Sequence, residues 1–343
     1  MLASHIRARV QLGLTRALTS PKRTTAVPPT FAYPNANKAM CRKRIFLLHP
    51  SHHHSLSTAA LPTLSAYETP LSSSPLPLDV ETIQRLLNLT TTTSNGRLIK
   101  FTTMSASVDE AEHSAEMQLP YIHRLLQKLY PDRPNAEYPP LVPIMVGSTN
   151  PATEVALGKI LAPYIAEESN AFVISSDFCH WGSRFSYTYY LPGAPTPSIS
   201  PLTLPNGVKA TGGVKDTSAD DVHRLSTLDK GISLRSSTKL SRSGPKIYES
   251  ISHVDRACMS AIATGRHDQF LKTLYDTGNT VCGRHPIGVF LAGVEEVEKI
   301  WRERAENDAA VEARFKFVRY ERSSDVESSR DSSVSYVSAF AVL

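Results

Sequence analysis

Histidine, cysteine and carboxylate side chains gather at four places along the chain. The stretch HPSHHH (49–54) supplies four histidines within six positions, and SDFCHWG (176–182) supplies an aspartate, a cysteine and a histidine. CGRHP (282–286) adds a cysteine, an arginine and a histidine, while EHSAE (112–116) places a histidine between two glutamates. These residue types are the usual ligands of a mononuclear transition-metal site. The sequence therefore indicates a metal site, on condition that the four stretches meet in the fold.

Local context adds chemistry to two of these stretches. Cys282 and Arg284 come just before a helix that we expect to start at Pro286, because proline is favoured at the first helical position. The field of a helix N-terminus and a nearby guanidinium both favour a thiolate, which is the metal-binding form of cysteine. His113 and Glu116 are three residues apart, so a helix would place them on one face.

Simpler interpretations of the same residues stay open. A histidine-rich loop is often only an exposed loop, Asp177 could cap a helix or a turn, and Cys282 could be a small buried apolar side chain. The sequence also contains no CxxC pair, no HExxH, no P-loop and no GxGxxG. No widespread zinc or nucleotide motif therefore assigns a function.

Buried strands that alternate with helices must position these residues. Apolar runs without polar alternation predict strands at 44–48, 141–147, 171–175 and 334–343. Helical patterns cover 79–89, 108–130 with an interruption at Pro120, 151–165, 245–264, 267–276 and 286–305. This order predicts one α/β domain with a mostly parallel or mixed sheet flanked by helices. Ligands of such sheets bind beyond the carboxyl ends of the strands, where the first two stretches lie.

Composition excludes several classes of protein. Of 343 residues, 41% are hydrophobic and 20% charged, which is enough for a globular core. Residues 1–67 carry nine basic and no acidic residues, so the remainder is net acidic and we expect no nucleic-acid partner. No apolar run approaches the roughly 20 residues of a membrane-spanning helix. Four cysteines in a chain of this length favour a reducing compartment over a disulfide framework.

Two segments stand apart from the predicted domain, which spans 44–343. Residues 1–43 form a basic stretch that we expect to be a disordered tail, and its Arg-rich, acid-free opening is also typical of a mitochondrial transit peptide. Residues 191–245 are rich in Pro, Ser and Gly and are predicted to be a mostly disordered surface insertion within the domain.

Six longer stretches are informative when they are taken together. They are RIFLLHPSHHHSLSTAAL, DEAEHSAEMQLPYI, VISSDFCHWGSRFSYTYY, ISHVDRACMSAI, TVCGRHPIGVFL and DSSVSYVSAFAV. Together they resemble the Memo protein family and follow the order of that family from Arg44 to the C-terminus, apart from the insertion at 191–245. The resemblance implies a fold similar to that of the class III extradiol dioxygenases, which are non-haem iron enzymes.

The resemblance also implies roles for individual residues. The family pocket contains two histidines and a cysteine and is associated with iron (Fe²⁺) or copper, which makes His52 and Cys282 the expected metal ligands. His180, with Asp177 beside it, would be the catalytic acid/base if the chain is an enzyme. The expected pocket or supporting residues are His49, His53, His113, Glu116, Arg284 and His285. The first family histidine lies in an APHAGY-type segment that this sequence lacks, and His49 is a candidate to replace it.

Three functions follow from the resemblance. The first is a retained pocket that binds a metal or an anionic ligand such as a phosphopeptide, in signalling to the cytoskeleton and cell motility or in metal homeostasis. The second is a non-haem, metal-dependent redox enzyme of the dioxygenase type. The third is a truncated gene product that lacks part of the site. We expect the first in preference, in the cytoplasm, with a mitochondrial location as the alternative.

Overall fold

The computed structural model describes residues 9–12, 43–194, 231–304 and 314–342. In chain order its strands are β1 Arg9–Leu12, β2 Arg44–Pro50, β3 Ala59–Pro62, β4 Ala66–Thr69, β5 Ser72–Pro77, β6 Thr90–Thr92, β7 Leu98–Lys100, β8 Thr102–Met104, β9 Leu141–Val146, β10 Asn170–Ile174, β11 His180–Trp181, β12 Tyr189–Tyr190, β13 Ile232–Ser233, β14 Arg314–Arg322 and β15 Ser333–Val342. Its α-helices are α1 Val80–Leu87, α2 Ala106–Glu110, α3 His113–Glu116, α4 Leu119–Leu129, α5 Pro151–Ala166, α6 Ile247–Ala263, α7 His267–Thr277 and α8 Arg284–Arg304.

A nine-stranded mixed sheet forms the centre of the fold. Its strands run in the order β11-β15-β1-β10-β2-β9-β3-β8, and β14 also pairs with β15. The middle four strands, β1, β10, β2 and β9, are mutually parallel, whereas β15 and β3 run antiparallel to their inner neighbours. Three two-stranded sheets, β4-β5, β6-β7 and β12-β13, lie outside it. The predicted single α/β architecture is confirmed.

The uninterrupted apolar runs form the middle of the sheet because both of its faces are covered. Every residue of β2 and β9 is buried, and Phe46 stacks on Phe172 of the neighbouring strand with ring centroids 4.7 Å apart. Helices α5 and α8 pack closely, since a side chain on Gly158 would collide with the backbone of Gly293. This contact fixes α8 and hence the turn at its start that carries Cys282.

The predicted helix at 108–130 is instead three helices. Glu112, with φ −93° and ψ 113°, has extended backbone and separates α2 from α3, and its side chain accepts a hydrogen bond from the N–H of Ser114 as a cap. Pro120 does not interrupt a helix, because it lies in the first turn of α4, where proline is tolerated. The four predicted strands are present as β2, β9, β10 and β15.

The two segments set apart by composition are described only in part. Within 1–43, residues 9–12 form β1, whose backbone pairs with β10 on one side and β15 on the other. A strand there satisfies backbone groups that both neighbours would otherwise leave unpaired. Of the predicted insertion, residues 195–230 lie outside the described ranges. The pairing of β12 with β13 brings together the parts of the chain that precede and follow those residues. No helix in the described ranges is long and apolar enough to cross a membrane.

Candidate functional site

The four stretches meet at the carboxyl ends of β2 and β10. The N–H of Ser175 donates to the carbonyl of Leu48 at 2.8 Å, so the two loops that follow these strands begin side by side. Ser175 Oγ donates to the carbonyl of Ser114 at 2.8 Å, which attaches the stretch 112–116. The N–H of Gly283 donates to Ser176 Oγ at 3.0 Å, which attaches 282–286. All four expected metal-binding stretches therefore lie together at the carboxyl ends of these strands.

His52 is held at this edge by the buried carboxylate of Glu112. Its backbone N–H lies 2.6 Å from Oε2 and its imidazole Nδ1 lies 2.9 Å from Oε1. The side chain of His52 stays 30% exposed, whereas that of Glu112 is 1% exposed. Metal-binding histidines are usually held in this way, with the ring nitrogen that does not bind the metal donating to a carboxylate.

The electrostatics keep Glu112 ionised. Burial works to raise the pKa of its carboxyl, but hydrogen bonds from the His52 side chain and from the N–H groups of His52 and Ser114 outweigh it. The net effect holds the pKa of Glu112 well below its ordinary value. The site therefore contains a fixed negative charge, which favours a cation.

His113 joins the same cluster, and Glu116 does not. The ring of His113 stacks on that of His52, with centroids 4.6 Å apart, and its Nδ1 lies 3.5 Å from Glu112 Oε1. Partial burial lowers the pKa of His113. His53 is exposed, and its ring lies edge-on to that of His113 with the ring centroids 5.5 Å apart. Glu116 is exposed on α3, and its side chain makes no hydrogen bond or ion pair with the described residues.

His49 is fully buried and is hydrogen-bonded through one of its two ring nitrogens. Ser114 Oγ donates to the carbonyl of Pro50, so it accepts from His49 Nδ1 at 2.9 Å, and Nδ1 carries the hydrogen. The remaining nitrogen, Nε2, has no hydrogen-bond partner among the described residues. Burial lowers the pKa of His49 to about 4.

Cys282 is paired with Asp177 through the backbone. The N–H of Asp177 donates to Cys282 Sγ at 3.0 Å, and the N–H of Cys282 donates to the carbonyl of Asp177 at 3.2 Å. Burial and then the negative charge of Asp177 raise the pKa of the thiol to about 12. This direction is opposite to the one expected from the helix start and Arg284, and it leaves the sulfur protonated at neutral pH.

His180 is held through Nδ1 by two backbone carbonyl groups. Its Nδ1 lies 3.0 Å from the carbonyl of Phe178 and 3.2 Å from that of Thr280, and both oxygens only accept. The hydrogen is therefore on Nδ1, and in the neutral ring Nε2 is the acceptor. Nε2 lies 3.8 Å from Asp177 Oδ2.

His285 and Arg284 lie at the start of α8 and differ in their contacts. His285 Nδ1 contacts Glu154 Oε1 at 2.8 Å and Thr149 Oγ1 at 3.2 Å, so it belongs to a buried cluster between helices. His267 contacts the other oxygen of Glu154 at 2.6 Å. Arg284 is half-buried, and its guanidinium makes no hydrogen bond or ion pair with the described part of the chain.

The expected metal ligands fit this geometry only in part. Within the described ranges, the only group of three or more potential ligands whose donor atoms all lie within 4.8 Å of one another is His52, Glu112 and His113. Cys282 is not in that group. Helical spacing pairs His113 with Glu116 and gives Glu112 no particular role. The available signal was the Glu-His-Ser order, which suits a cap at a helix start.

Comparison with known proteins confirms the family resemblance that the six stretches indicated. The sequence model of the Memo-like protein family matches residues 24–340. The chain is 35% identical over 301 residues to a MEMO1 family protein of Schizosaccharomyces pombe, covering 87% of this chain and 78% of that protein. It is 33% identical to Protein MEMO1 of Xenopus laevis over 315 residues (91% and 79%) and 32% identical to Protein MEMO1 of Homo sapiens over 308 residues (89% and 77%). The chain belongs to the Memo-like protein family.

Proposed function

We propose that this chain is a metal-binding member of its family, with a dioxygenase-type pocket at the carboxyl ends of β2 and β10. The observation that supports this most directly is the pairing of His52 with the ionised, buried carboxylate of Glu112. It combines a preformed negative charge with an accessible imidazole, as metal sites require. Iron or copper are the metals that the family resemblance implies, and a bound ion would supply Lewis-acid or redox chemistry there.

Metal titration of the 343-residue chain tests this proposal. The metal-free protein is titrated anaerobically with Fe(II) and separately with Cu(I), and bound metal is measured after desalting. We expect about one tightly bound ion per chain in the wild type and none in His52→Ala. The matched control is His54→Ala, an exposed histidine of the same loop, which should bind as the wild type does. A wild-type protein that retains neither metal would contradict the proposal.

Redox catalysis is the second candidate, and His180 favours it. Because Nδ1 is committed to two carbonyl oxygens, Nε2 is available to take a proton beside Asp177. We expect an iron-loaded wild type to consume O₂ with a catechol substrate and His180→Ala to do so at least about 100-fold more slowly. No O₂ uptake by a fully loaded wild type, across a panel of catechols, would remove this candidate.

An anionic ligand, such as a phosphopeptide of a signalling partner, is the third candidate. Arg284 supports it, because its guanidinium is half-buried, lies at the N-terminal end of α8 and has no ion pair among the described residues. His285 does not, since Glu154 and Thr149 occupy its Nδ1. Arg284→Ala should weaken the binding of a labelled phosphotyrosine peptide in a fluorescence-anisotropy titration, whereas Arg184→Ala, at an exposed arginine, should not. Equal affinity in the wild type and Arg284→Ala would remove this candidate.

A further inference from the structure

We infer that Thr280 is a positioning residue that fixes the imidazole of His180 with its hydrogen on Nδ1. The inference rests on the acid/base role proposed for His180 and names the residue that prepares the imidazole for that role. Thr280 opens the stretch TVCGRHPIGVFL, in which only Cys282, Arg284 and His285 were expected to serve the pocket.

The hydroxyl of Thr280 bonds to both backbone groups of His180. The N–H of His180 donates to Thr280 Oγ1 at 2.7 Å, and the same hydroxyl donates to the carbonyl of His180 at 3.0 Å. A hydroxyl can donate and accept at once, and here it does both toward one residue 100 positions away. Thr280 therefore fixes where the backbone of His180 lies.

The backbone of Thr280 also restrains the imidazole. His180 Nδ1 lies 3.2 Å from the carbonyl oxygen of Thr280 and 3.0 Å from that of Phe178. Carbonyl oxygens only accept, so these two contacts decide which ring nitrogen carries the hydrogen. Nε2 lies 3.8 Å from Asp177 Oδ2, beyond hydrogen-bond distance. In the neutral ring Nε2 is thus the nitrogen that can take a proton from a bound ligand.

The imidazole is restrained without being closed off. The ring of Phe185 packs against it nearly at a right angle, with centroids 5.2 Å apart. The side chain of His180 nevertheless stays 24% exposed. A fixed ring that solvent and ligands can still reach is what an acid/base group requires.

The buried carboxylate of Asp255 on α6 holds the residues next to this contact. Its Oδ1 accepts from the N–H of Cys179 at 3.3 Å and from Asn279 Nδ2 at 2.9 Å. Cys179 and Asn279 immediately precede His180 and Thr280. A single buried carboxylate therefore fixes the two segments relative to each other, and the hydroxyl of Thr280 acts within a rigid frame.

The same two segments are bonded again two residues after Thr280. The N–H of Asp177 donates to Cys282 Sγ, and the N–H of Cys282 donates to the carbonyl of Asp177. Residues 177–180 and 280–282 are thus held together at both ends. Loss of the Thr280 hydroxyl should therefore loosen His180 locally and leave the pairing at Cys282 in place.

Nitrogen-15 NMR of the metal-free 343-residue chain measures the position of this hydrogen directly. Long-range ¹H–¹⁵N spectra separate the two neutral tautomers, and His180→Ala identifies the His180 signals among the 12 histidines. At a pH where the ring is neutral, we expect the wild type to hold the hydrogen on Nδ1. Thr280→Val removes both hydroxyl bonds with little change of shape and should give a mixture of tautomers. Thr280→Ser keeps the hydroxyl and should restore the wild-type spectrum.

Thr273→Val is the matched control. Thr273 is buried on α7, and its hydroxyl donates to the carbonyl of Gln269 in the same helix at 2.9 Å. This variant loses a buried threonine hydroxyl away from His180 and should keep the wild-type tautomer.

Circular dichroism and melting temperature establish that each variant is folded, and Thr280→Ala takes the place of Thr280→Val if the latter is not. A hydrogen on Nε2 in the wild type, or an unchanged tautomer in a folded variant without the hydroxyl, would overturn the inference.

Turnover separates this inference from the proposed acid/base role. Where the iron-loaded wild type consumes O₂, Thr280→Val should lower kcat by about 10- to 100-fold and leave KM nearly unchanged, because it misplaces a group without removing a binding contact. Thr280→Ser should restore kcat. An iron-loaded wild type that takes up no O₂ would remove the acid/base role, and the NMR spectra of the metal-free chain would still decide whether Thr280 positions His180.

Discussion

Glu112 holds His52 by two hydrogen bonds, one from the backbone N–H at 2.6 Å and one from the imidazole Nδ1 at 2.9 Å. The two residues are 60 positions apart, so this contact ties the loop after β2 to the break between α2 and α3. Because Oε1 also accepts the N–H of Ser114, a single buried carboxylate organises both segments.

Removing this carboxylate should release the loop. In Glu112→Ala the N–H groups of His52 and Ser114 lose their acceptor, and we expect a loss of about 2 kcal/mol in the free energy of unfolding. Hydrogen–deuterium exchange should show faster exchange of the His52 amide. Glu110→Ala, at an exposed residue of the preceding helix, is the matched control. Unchanged exchange at His52 would show that the loop is held by other contacts.

His49 should make stability depend on pH between about 6.5 and 4. The pKa of His49 is near 4 in the folded chain, against an ordinary value of 6.5 that we take for the unfolded chain. Between these two pH values the unfolded chain therefore binds a proton at His49 and the folded chain does not. The free energy of unfolding is therefore unaffected by His49 above pH 6.5. It decreases as the pH falls from 6.5 to 4, by about 3 kcal/mol in total.

His49→Asn isolates this effect, because its amide can still donate to Ser114 Oγ but does not titrate. Urea unfolding at pH 7.5 and at pH 4.5 should show a smaller loss of stability in the variant, by about 2 kcal/mol. His54→Asn, on the exposed part of the same loop, should follow the wild type. An equal loss in wild type and His49→Asn would mean that His49 takes up its proton in the folded state.

Cys282 should react slowly with alkylating reagents. With a pKa of about 12, on the order of one thiol in ten thousand is ionised at pH 8, and the thiolate is the reactive form. Asp177→Asn removes the neighbouring charge, keeps the backbone N–H bond to Sγ, and should accelerate iodoacetamide labelling.

The labelling is best measured by mass spectrometry of metal-free protein in a Cys41→Ser background. Cys179 and Cys258 are buried, and Cys282→Ser confirms that the label is on Cys282. Rapid labelling of the wild type at pH 7 would show a thiolate, as the sequence alone suggested.

The sequence predicted the centre of the fold well because that centre has a simple physical signature. Strands buried on both faces need uninterrupted apolar runs, and β2, β9 and β10 have them. Strand β14 was missed because it lies at the edge of the sheet and reads RFKFVRYER. Its signal was the alternation of the buried Phe315 and Phe317 with charged residues, which is typical of a strand with one buried face.

The site was predictable in its location and not in its contacts. Loops after parallel strands meet at the carboxyl ends of those strands, so the order of the elements predicted that the stretches after β2 and β10 lie together. That 112–116 and 282–286 join them did not follow from that order. The pairing of His52 with Glu112 spans 60 residues and depends on where the helix at 108–130 breaks. The state of Cys282 was predicted in the wrong direction, because helix-end reasoning is local and both burial and Asp177, 105 residues earlier, raise the pKa of the thiol.

Glu154 should carry acid-sensitive stability of the helical layer. Its carboxylate accepts from His267, His285 and Thr149, and it is almost fully buried. Burial works to raise the pKa of Glu154, but the hydrogen bonds from the two histidines outweigh it and the pKa is lowered. Its contribution is therefore present above the ordinary value near pH 4.5 and is lost as the pH falls below it.

Glu154→Gln should lower the free energy of unfolding at neutral pH by about 2 to 3 kcal/mol. The reason is that the amide NH₂ of Gln, which only donates, takes the place of one carboxylate oxygen that accepts from an imidazole. The loss of stability between pH 5 and pH 3 should be smaller in the variant than in the wild type. Urea unfolding across this range measures both effects. Glu116→Gln, at an exposed glutamate without a partner among the described residues, should unfold as the wild type does. If Glu154→Gln unfolded with the wild-type midpoint at every pH, the cluster would contribute no net stability, and packing of α5 against α8 through Gly158 and Gly293 would hold the layer alone.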